Sequence, residues 1–312
     1  MNSFLILFFS LTLISSCKRN NSSKTDILAP ELIFKQHKNL KLGFTTQLFA
    51  EVAPVSLVSS KQFVDYAASS GFTWLELRDP DAILTMEECK AIADYAKEKG
   101  VEVAYAIQKG LLDADFWITF EKGIKKAAFF HGPKTFRALA GGEEFNTDTT
   151  KTGWDAAEMS QIVKYADSAA LIAQKNGLQF VIENGTEPLY GKEAKYFGFA
   201  DIIDRTREEV GWQFDTANPF SVSRVHSSSD TVMAFMLKHI NKLSYIHLKS
   251  AQKGMPQRVL TNNPIAFEEV FQALAKHKIL YVAIELQAVD DEDQAYENLE
   301  RSVGFLREKY LN

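Results

Sequence analysis

From residue 40 onward, short apolar runs alternate with amphipathic stretches. The runs are Leu40–Thr45, Phe72–Leu77, Val101–Ile107, Ala127–His131, Leu178–Ile182, Val210–Phe214, Leu243–Ile246 and Leu280–Ile284. Runs of this length, bounded by glycine or charge, are the signature of strands buried in a parallel sheet. Between them the apolar positions recur with helical period. Val55–Ser70 is stopped by Gly71, and Thr85-Met-Glu-Glu88 opens a helix to Lys99 with a capping box. Further helices are predicted over 116–126, 155–176, 199–209, 230–241, 264–277 and 290–309. Eight strands in strict alternation with helices predict a (β/α)8 TIM barrel, a fold of roughly 250 residues. An open doubly wound sheet would show a glycine-rich phosphate turn after its first strand. Gly43 stands alone there, and no such motif occurs elsewhere. Residues 132–154, with Arg137, Gly141 and Gly142, read as one long connection, a feature that is usually functional or mobile.

Four consecutive runs end in groups that are costly to bury alone: Glu183, Asp215, His247 and Glu285, spaced 32, 32 and 38 residues apart. Each interval is about one βα unit. In a barrel all strands end on one face, so the four side chains converge there. Three carboxylates and one imidazole form a ligand set for a divalent cation, with Mn²⁺, Mg²⁺ or Co²⁺ favoured and Zn²⁺ possible. Such a cation offsets the repulsion of the carboxylates. Lys109 and Lys249 fall just past strand ends, where they can bind substrate oxygens, and His131 ends the fourth predicted strand as a candidate substrate contact. Glu76 alternates toward the barrel interior, as the ion-pair partner of a lysine or arginine. Trp154, Trp212 and Phe220 fit either a sugar-stacking wall or the core. Arg224 and His226 read as surface residues.

The N-terminus changes the picture of where the barrel works. Phe4–Ile14 is an apolar segment of signal-peptide length, too short to span a membrane. Ile14-Ser15-Ser16-Cys17 resembles the lipobox of bacterial lipoproteins, although Met1-Asn2-Ser3 lacks a basic residue. The division that follows is a signal peptide over 1–16, lipidated Cys17 with a flexible tether over 17–38, and one barrel domain over 39–312. The expected location is extracytoplasmic, anchored to a membrane through the lipid alone. Cys89 is then the only free thiol, on a helix, and reads as a small buried hydrophobe. A net charge of −5 argues against a nucleic-acid partner, which needs a basic face.

Glu183-Asn184, Asp215-Thr216, His247-Leu-Lys249 and Ile284-Glu285, together with Leu75-Glu-Leu-Arg78, resemble the xylose isomerase-like TIM barrel superfamily over residues 39–310. The resemblance implies one divalent metal on Glu183, Asp215, His247 and Glu285. It also implies that the two glutamates move protons during isomerisation or epimerisation of a small carbohydrate through an enediolate. Two positions depart from the epimerase pattern. Asn218 stands where a histidine is common, able to bond a sugar hydroxyl but not to act as a base. Ser250 stands where an acid is common, and Lys253 and Arg258 are the candidates to replace a following arginine. The departures leave room for a metal-dependent lyase or hydrolase of 3-keto-glycosides, or for a carbohydrate-binding lipoprotein without catalysis.

Overall fold

The structure is a computed structural model that describes residues 31–141, 151–185, 187–221 and 227–312. Its barrel strands are β1 (Lys41–Thr45), β2 (Trp74–Arg78), β3 (Glu102–Gly110), β4 (Thr135–Leu139), β5 (Gln179–Glu183), β6 (Gly211–Asp215), β7 (Leu243–Leu248) and β10 (Tyr281–Ile284). They are parallel and close in the order β1-β10-β7-β6-β5-β4-β3-β2. A short antiparallel hairpin, β8 (Ala251–Gln252) and β9 (Met255–Pro256), follows β7. The fold is a single-domain (β/α)8 barrel.

The helices begin where their capping groups stand. Ser56, Thr85 and Asp155 each accept backbone N–H groups of the first turn in reciprocal capping boxes. Gly71 and Gly100 end two of them at φ 84° and 72°, a left-handed conformation that costs other residues energy. One continuous apolar core lies between the helices and the outer face of the barrel. Inside the barrel a second cluster, Trp74, Ala104, Val181, Tyr245 and Ala283, fills the end where the strands start. Gly43 belongs to this plug, because a Cβ there would lie 2.5 Å from the Trp74 carbonyl oxygen. Above the plug the interior turns polar: Glu76, Arg137 and Gln213 are fully buried.

Two expectations are corrected, and one left open between two readings is decided. The fourth strand is Thr135–Leu139, not 127–131. Ala127 ends the preceding helix, and Phe130 packs on Tyr105 with ring centroids 5.7 Å apart. The apolar run is therefore a helix end and a buried turn. The true strand lay hidden in the expected long connection because Arg137 interrupts its apolar pattern. Residues 31–38 are not tether. Leu32 and Phe34 are buried, Phe34 bridges to Leu311, and its ring meets Phe271 at 4.7 Å. Trp154 and Trp212 are core, each fully buried. Residues 1–30, with Cys17, and the loop residues Arg224 and His226 lie outside the described residues. Among the described residues no helix is long and apolar enough to cross a membrane.

Candidate metal centre

The strand ends are stitched together by the residues beside the candidate ligands. Asn184 accepts the Asp215 N–H at 2.8 Å and donates to the Asp215 carbonyl at 3.1 Å, so its side chain extends the β5–β6 ladder. The Thr216 hydroxyl donates to the Lys249 carbonyl and accepts the Lys249 N–H, doing the same for β6 and β7. Asp215 Oδ1 accepts the N–H groups of Ala217 and Asn218 at 2.8 and 2.7 Å. That turn fixes the carboxylate and leaves Oδ2 for other partners. Ligands held this way need little reorganisation to bind.

Glu183, Asp215, His247 and Glu285 are all buried, and each offers one ligand atom within 4.8 Å of the others. His247 Nε2 lies 3.2 Å from Glu76 Oε2. Nδ1 lies 2.9 Å from Glu285 Oε2 and 3.6 Å from Glu183 Oε1; with the Nε2 proton donated to Glu76, loss of the Nδ1 proton would turn a lone pair toward a cation held between these oxygens. An imidazole oriented by a carboxylate is the usual arrangement of a metal-ligating histidine. Asp215 Oδ2 is buried and makes no hydrogen bond, with Lys249 Nζ 3.6 Å away; Glu183 Oε2 and His247 Nδ1 make none of good geometry, although they lie 3.0 Å from Arg137 Nη1 and 2.9 Å from Glu285 Oε2. Buried polar atoms are almost always bonded, and three on one cluster without a well-formed hydrogen bond, two carboxylate oxygens and one imidazole nitrogen, fit a divalent cation.

Cations of the chain's own surround the cluster. Arg137 Nη1 lies 3.0 Å from Glu183 Oε2, and its Nη2 donates to Glu76 at 3.3 Å. Arg78 donates to Glu76 at 3.0 Å, to Gln47 at 3.0 Å and to Glu285 Oε2. Lys249 Nζ bonds Glu285 Oε1 at 2.9 Å and Asn218 Oδ1 at 3.2 Å. Burial pushes the Asp215 carboxyl up, and with Glu285 and Glu183 nearby it reaches about 6. Burial acts the same way on Glu285, but Arg78, Lys249 and His247 outweigh it and hold that carboxyl well below the usual range. On Glu183, Arg137 and His247 overcome burial and the repulsion of Glu285, for a smaller downward shift. Burial disfavours charge on His247, yet Glu76 and Glu285 hold the imidazolium well above the usual histidine range.

A cavity of about 690 Å³ opens over this floor, the size of a small-molecule site. Glu183, Glu285, Asn218, Lys249 and Lys109 line it. Lys109 is the last residue but one of β3 and pairs with Asp81 at 2.8 Å and Asp115 at 2.9 Å. His131 is not there. It is exposed in the turn before β4, at the opposite end of the barrel, because the strand expected to end at it begins four residues later. Ser250 is buried and ties down the loop after the hairpin, accepting the Thr261 N–H at 2.9 Å. Lys253 and Arg258 are exposed, and neither lines the cavity; Pro256 does. Sequence reasoning assigned no role to Arg78, Arg137 or Gln47. The alternation that turns Glu76 inward also turns Arg78 inward, and that signal was available.

No curated protein matches the sequence. Among solved structures, D-psicose 3-epimerase from Clostridium cellulolyticum H10, seen with D-tagatose, superposes with a TM-score of 0.61 at 16% identity, covering 86% of this chain and 99% of that one. A sugar phosphate isomerase/epimerase from Parabacteroides distasonis gives 0.61 at 14% identity, over 86% and 96%. A xylose isomerase-like TIM barrel protein from Mycobacterium smegmatis in complex with magnesium gives 0.61 at 15%, over 86% and 97%. Likeness at such identity speaks for the fold. The sequence profile of the xylose isomerase-like TIM barrel family matches residues 64–309, most of the barrel, and the chain belongs to that family.

Proposed function

We propose that the protein is a divalent-metal-dependent sugar isomerase or epimerase that abstracts a proton next to a carbonyl. The observation that carries the reading is the floor of the cavity: four buried residues whose ligand atoms lie within 4.8 Å of one another. Glu183, Asp215, His247 and Glu285 would hold the cation. When bound, it would polarise a substrate carbonyl and stabilise the enediolate charge that develops as the neighbouring C–H ionises. Glu183 and Glu285 approach from different strands and are both held ionised, so one can take the proton and the other return one. Lys249 and Asn218 face the cavity and orient substrate oxygens. The cavity's cations are already matched by carboxylates: Arg78 by Glu285, Lys109 by Asp81, Lys249 by Glu285. No glycine-rich phosphate loop occurs in the sequence, which favours a hydroxyl-rich free sugar over a phosphorylated one.

Incubation with candidate ketoses in deuterated water tests the reading. Deuterium entering at carbon, abolished in Glu183→Gln and Glu285→Gln, is the expected result. No exchange with any ketose at saturating metal would overturn it. One observation favours a second reading, a lyase or hydrolase of 3-keto-glycosides. The cavity runs from the ligands out to Asp113 and Pro256, with room for a leaving group. Release of a free aglycone distinguishes the two. The lipid at Cys17 is part of the same reading. Mass spectrometry of the mature protein should find a diacylglyceryl Cys17 as the first residue, and an unmodified thiol there would exclude it.

A further inference from the structure

Arg78 is the side chain that the proposed reaction leaves without a part. It is buried on the barrel floor, yet it lines the cavity. Glu76 and Gln47 hold two of its guanidinium nitrogens, and neither residue is a candidate ligand. The third nitrogen, Nη2, donates to Glu285 Oε2 and lies 3.8 Å from Glu183 Oε2. Glu285 Oε2 is also the oxygen that His247 Nδ1 faces at 2.9 Å. A fixed positive charge therefore sits against the same carboxylates that a metal would use.

We propose that Arg78 is an internal counter-cation of the metal centre: it lowers the site's affinity for its metal and compensates the carboxylates whether or not one is bound. The inference rests on the metal reading above. A guanidinium beside a metal ligand can act in two opposite ways. As a positioning group it would raise affinity by holding the ligand in place. As a neighbouring charge it repels the incoming cation and competes for the carboxylate oxygens. The contacts decide between them. Glu285 keeps Lys249 on Oε1 at 2.9 Å, and Glu183 keeps Arg137 at 3.0 Å. Both ligands stay oriented when Arg78 is removed, whereas its charge has no replacement. Repulsion is therefore the larger effect. The compensation has a structural side as well. Glu76, Glu183, Asp215 and Glu285 are buried together, and without Arg78 only Arg137, Lys249 and His247 remain to offset them. The loss makes the folded chain depend on the metal.

The experiment compares wild type, Arg78→Gln and Arg78→Lys as full folded chains. Mn²⁺ affinity is measured by calorimetry and by competition with a chromophoric chelator, and melting is followed with and without Mn²⁺. Arg78→Gln should bind Mn²⁺ about tenfold more tightly or better, the scale on which outer partners of a metal act. Its metal-free form should melt below wild type, and saturating Mn²⁺ should restore most of the difference. Arg78→Lys, charged but too short to span from Glu76 to Glu285, should fall between. If Arg78→Gln folds only with Mn²⁺ and unfolds on chelation, that also supports the proposal. If it does not fold even then, Arg78→Lys decides: binding no tighter than wild type overturns the proposal. Arg78→Gln binding equally or more weakly overturns it while leaving the metal reading intact. Binding to neither wild type nor variants would remove the metal reading, and this proposal with it.

Discussion

Glu76→Gln should damage both the stability of the barrel and its proposed metal centre. Glu76 is fully buried under the site. It accepts the Tyr245 hydroxyl at 2.6 Å, Arg78 Nε at 3.0 Å and Arg137 Nη2 at 3.3 Å, and it faces His247 Nε2 at 3.2 Å. All four neighbours are donors. A glutamine there keeps one acceptor oxygen and turns an NH₂ group toward them, and it leaves the guanidinium charges undercompensated. Removing one partner of a buried ion pair costs about 3–5 kcal/mol. For a chain of this size, with an unfolding entropy of about 0.6 kcal/mol/K, that corresponds to a fall in melting temperature of about 5–8 °C. The lost carboxylate also orients His247, and such outer partners are worth about 10- to 100-fold in metal affinity. The pH dependence carries its own sign. Burial raises the Glu76 carboxyl, but His247, Arg137 and Arg78 outweigh it and hold it well below the ordinary 4.5. Its contribution is therefore complete above about pH 4.5 and is lost as pH falls through the lower folded value, so the gap between wild type and variant should narrow in acid. Urea unfolding at pH 7 and at steps from about pH 5 down to about pH 2.5, with Mn²⁺ titration at pH 7, measures all three effects. A variant within about 1 kcal/mol of wild type, with unchanged metal affinity, would refute the reasoning.

Metal affinity should rise with pH, because binding must displace protons from Asp215, whose carboxyl is pushed up to about 6, and from the strongly protonated His247. Below pH 6, calorimetry should show a loss of about tenfold per pH unit for each proton released, and a pH-independent affinity would contradict the assignment. Lys249→Met removes a charged donor from the cavity wall and should lower kcat/KM by about 10- to 100-fold, the worth of a charge-assisted hydrogen bond; an unchanged value would take Lys249 out of the site. His131→Ala should leave metal binding and turnover unaltered, since the residue is exposed at the far end of the barrel. A tenfold loss of turnover in that variant would mean the strand assignment around it is wrong.

What the sequence showed of this protein follows from where charge sits relative to apolar runs. Glu183, Asp215, His247 and Glu285 were legible because each closes a mostly apolar run with no charge inside it, and the repeat of one βα unit aligned them. The same rule hid β4. Its central Arg137 is buried between Glu76 and Glu183, and it splits a five-residue run into Phe136 and Ala138-Leu139, too short an apolar signal beside the unbroken run at 127–130. Ala127–Phe130 gave the opposite error, since a helix end followed by a buried turn carries the same apolar run as a strand. Leu32 and Phe34 were taken for tether because a three-residue apolar run, Leu32-Ile33-Phe34, is too short to show a period. Only their contacts with Gly71, Phe271 and Leu311, far along the chain, make them part of the fold. Asn184 and Thr216 were noted as parts of motifs. Their work as bridges between neighbouring strands is a property of the closed sheet.

The account stands on one claim, that the ends of β5, β6, β7 and β10 form a metal centre. Calorimetric titration of chelator-treated wild type and His247→Gln with Mn²⁺, at pH 7.5, tests it most directly. One equivalent bound by wild type, and affinity reduced at least about 100-fold in the variant with its fold retained by circular dichroism, is the result expected when a buried ligand is replaced. No saturable binding to wild type, or equal affinity in the variant, would contradict it.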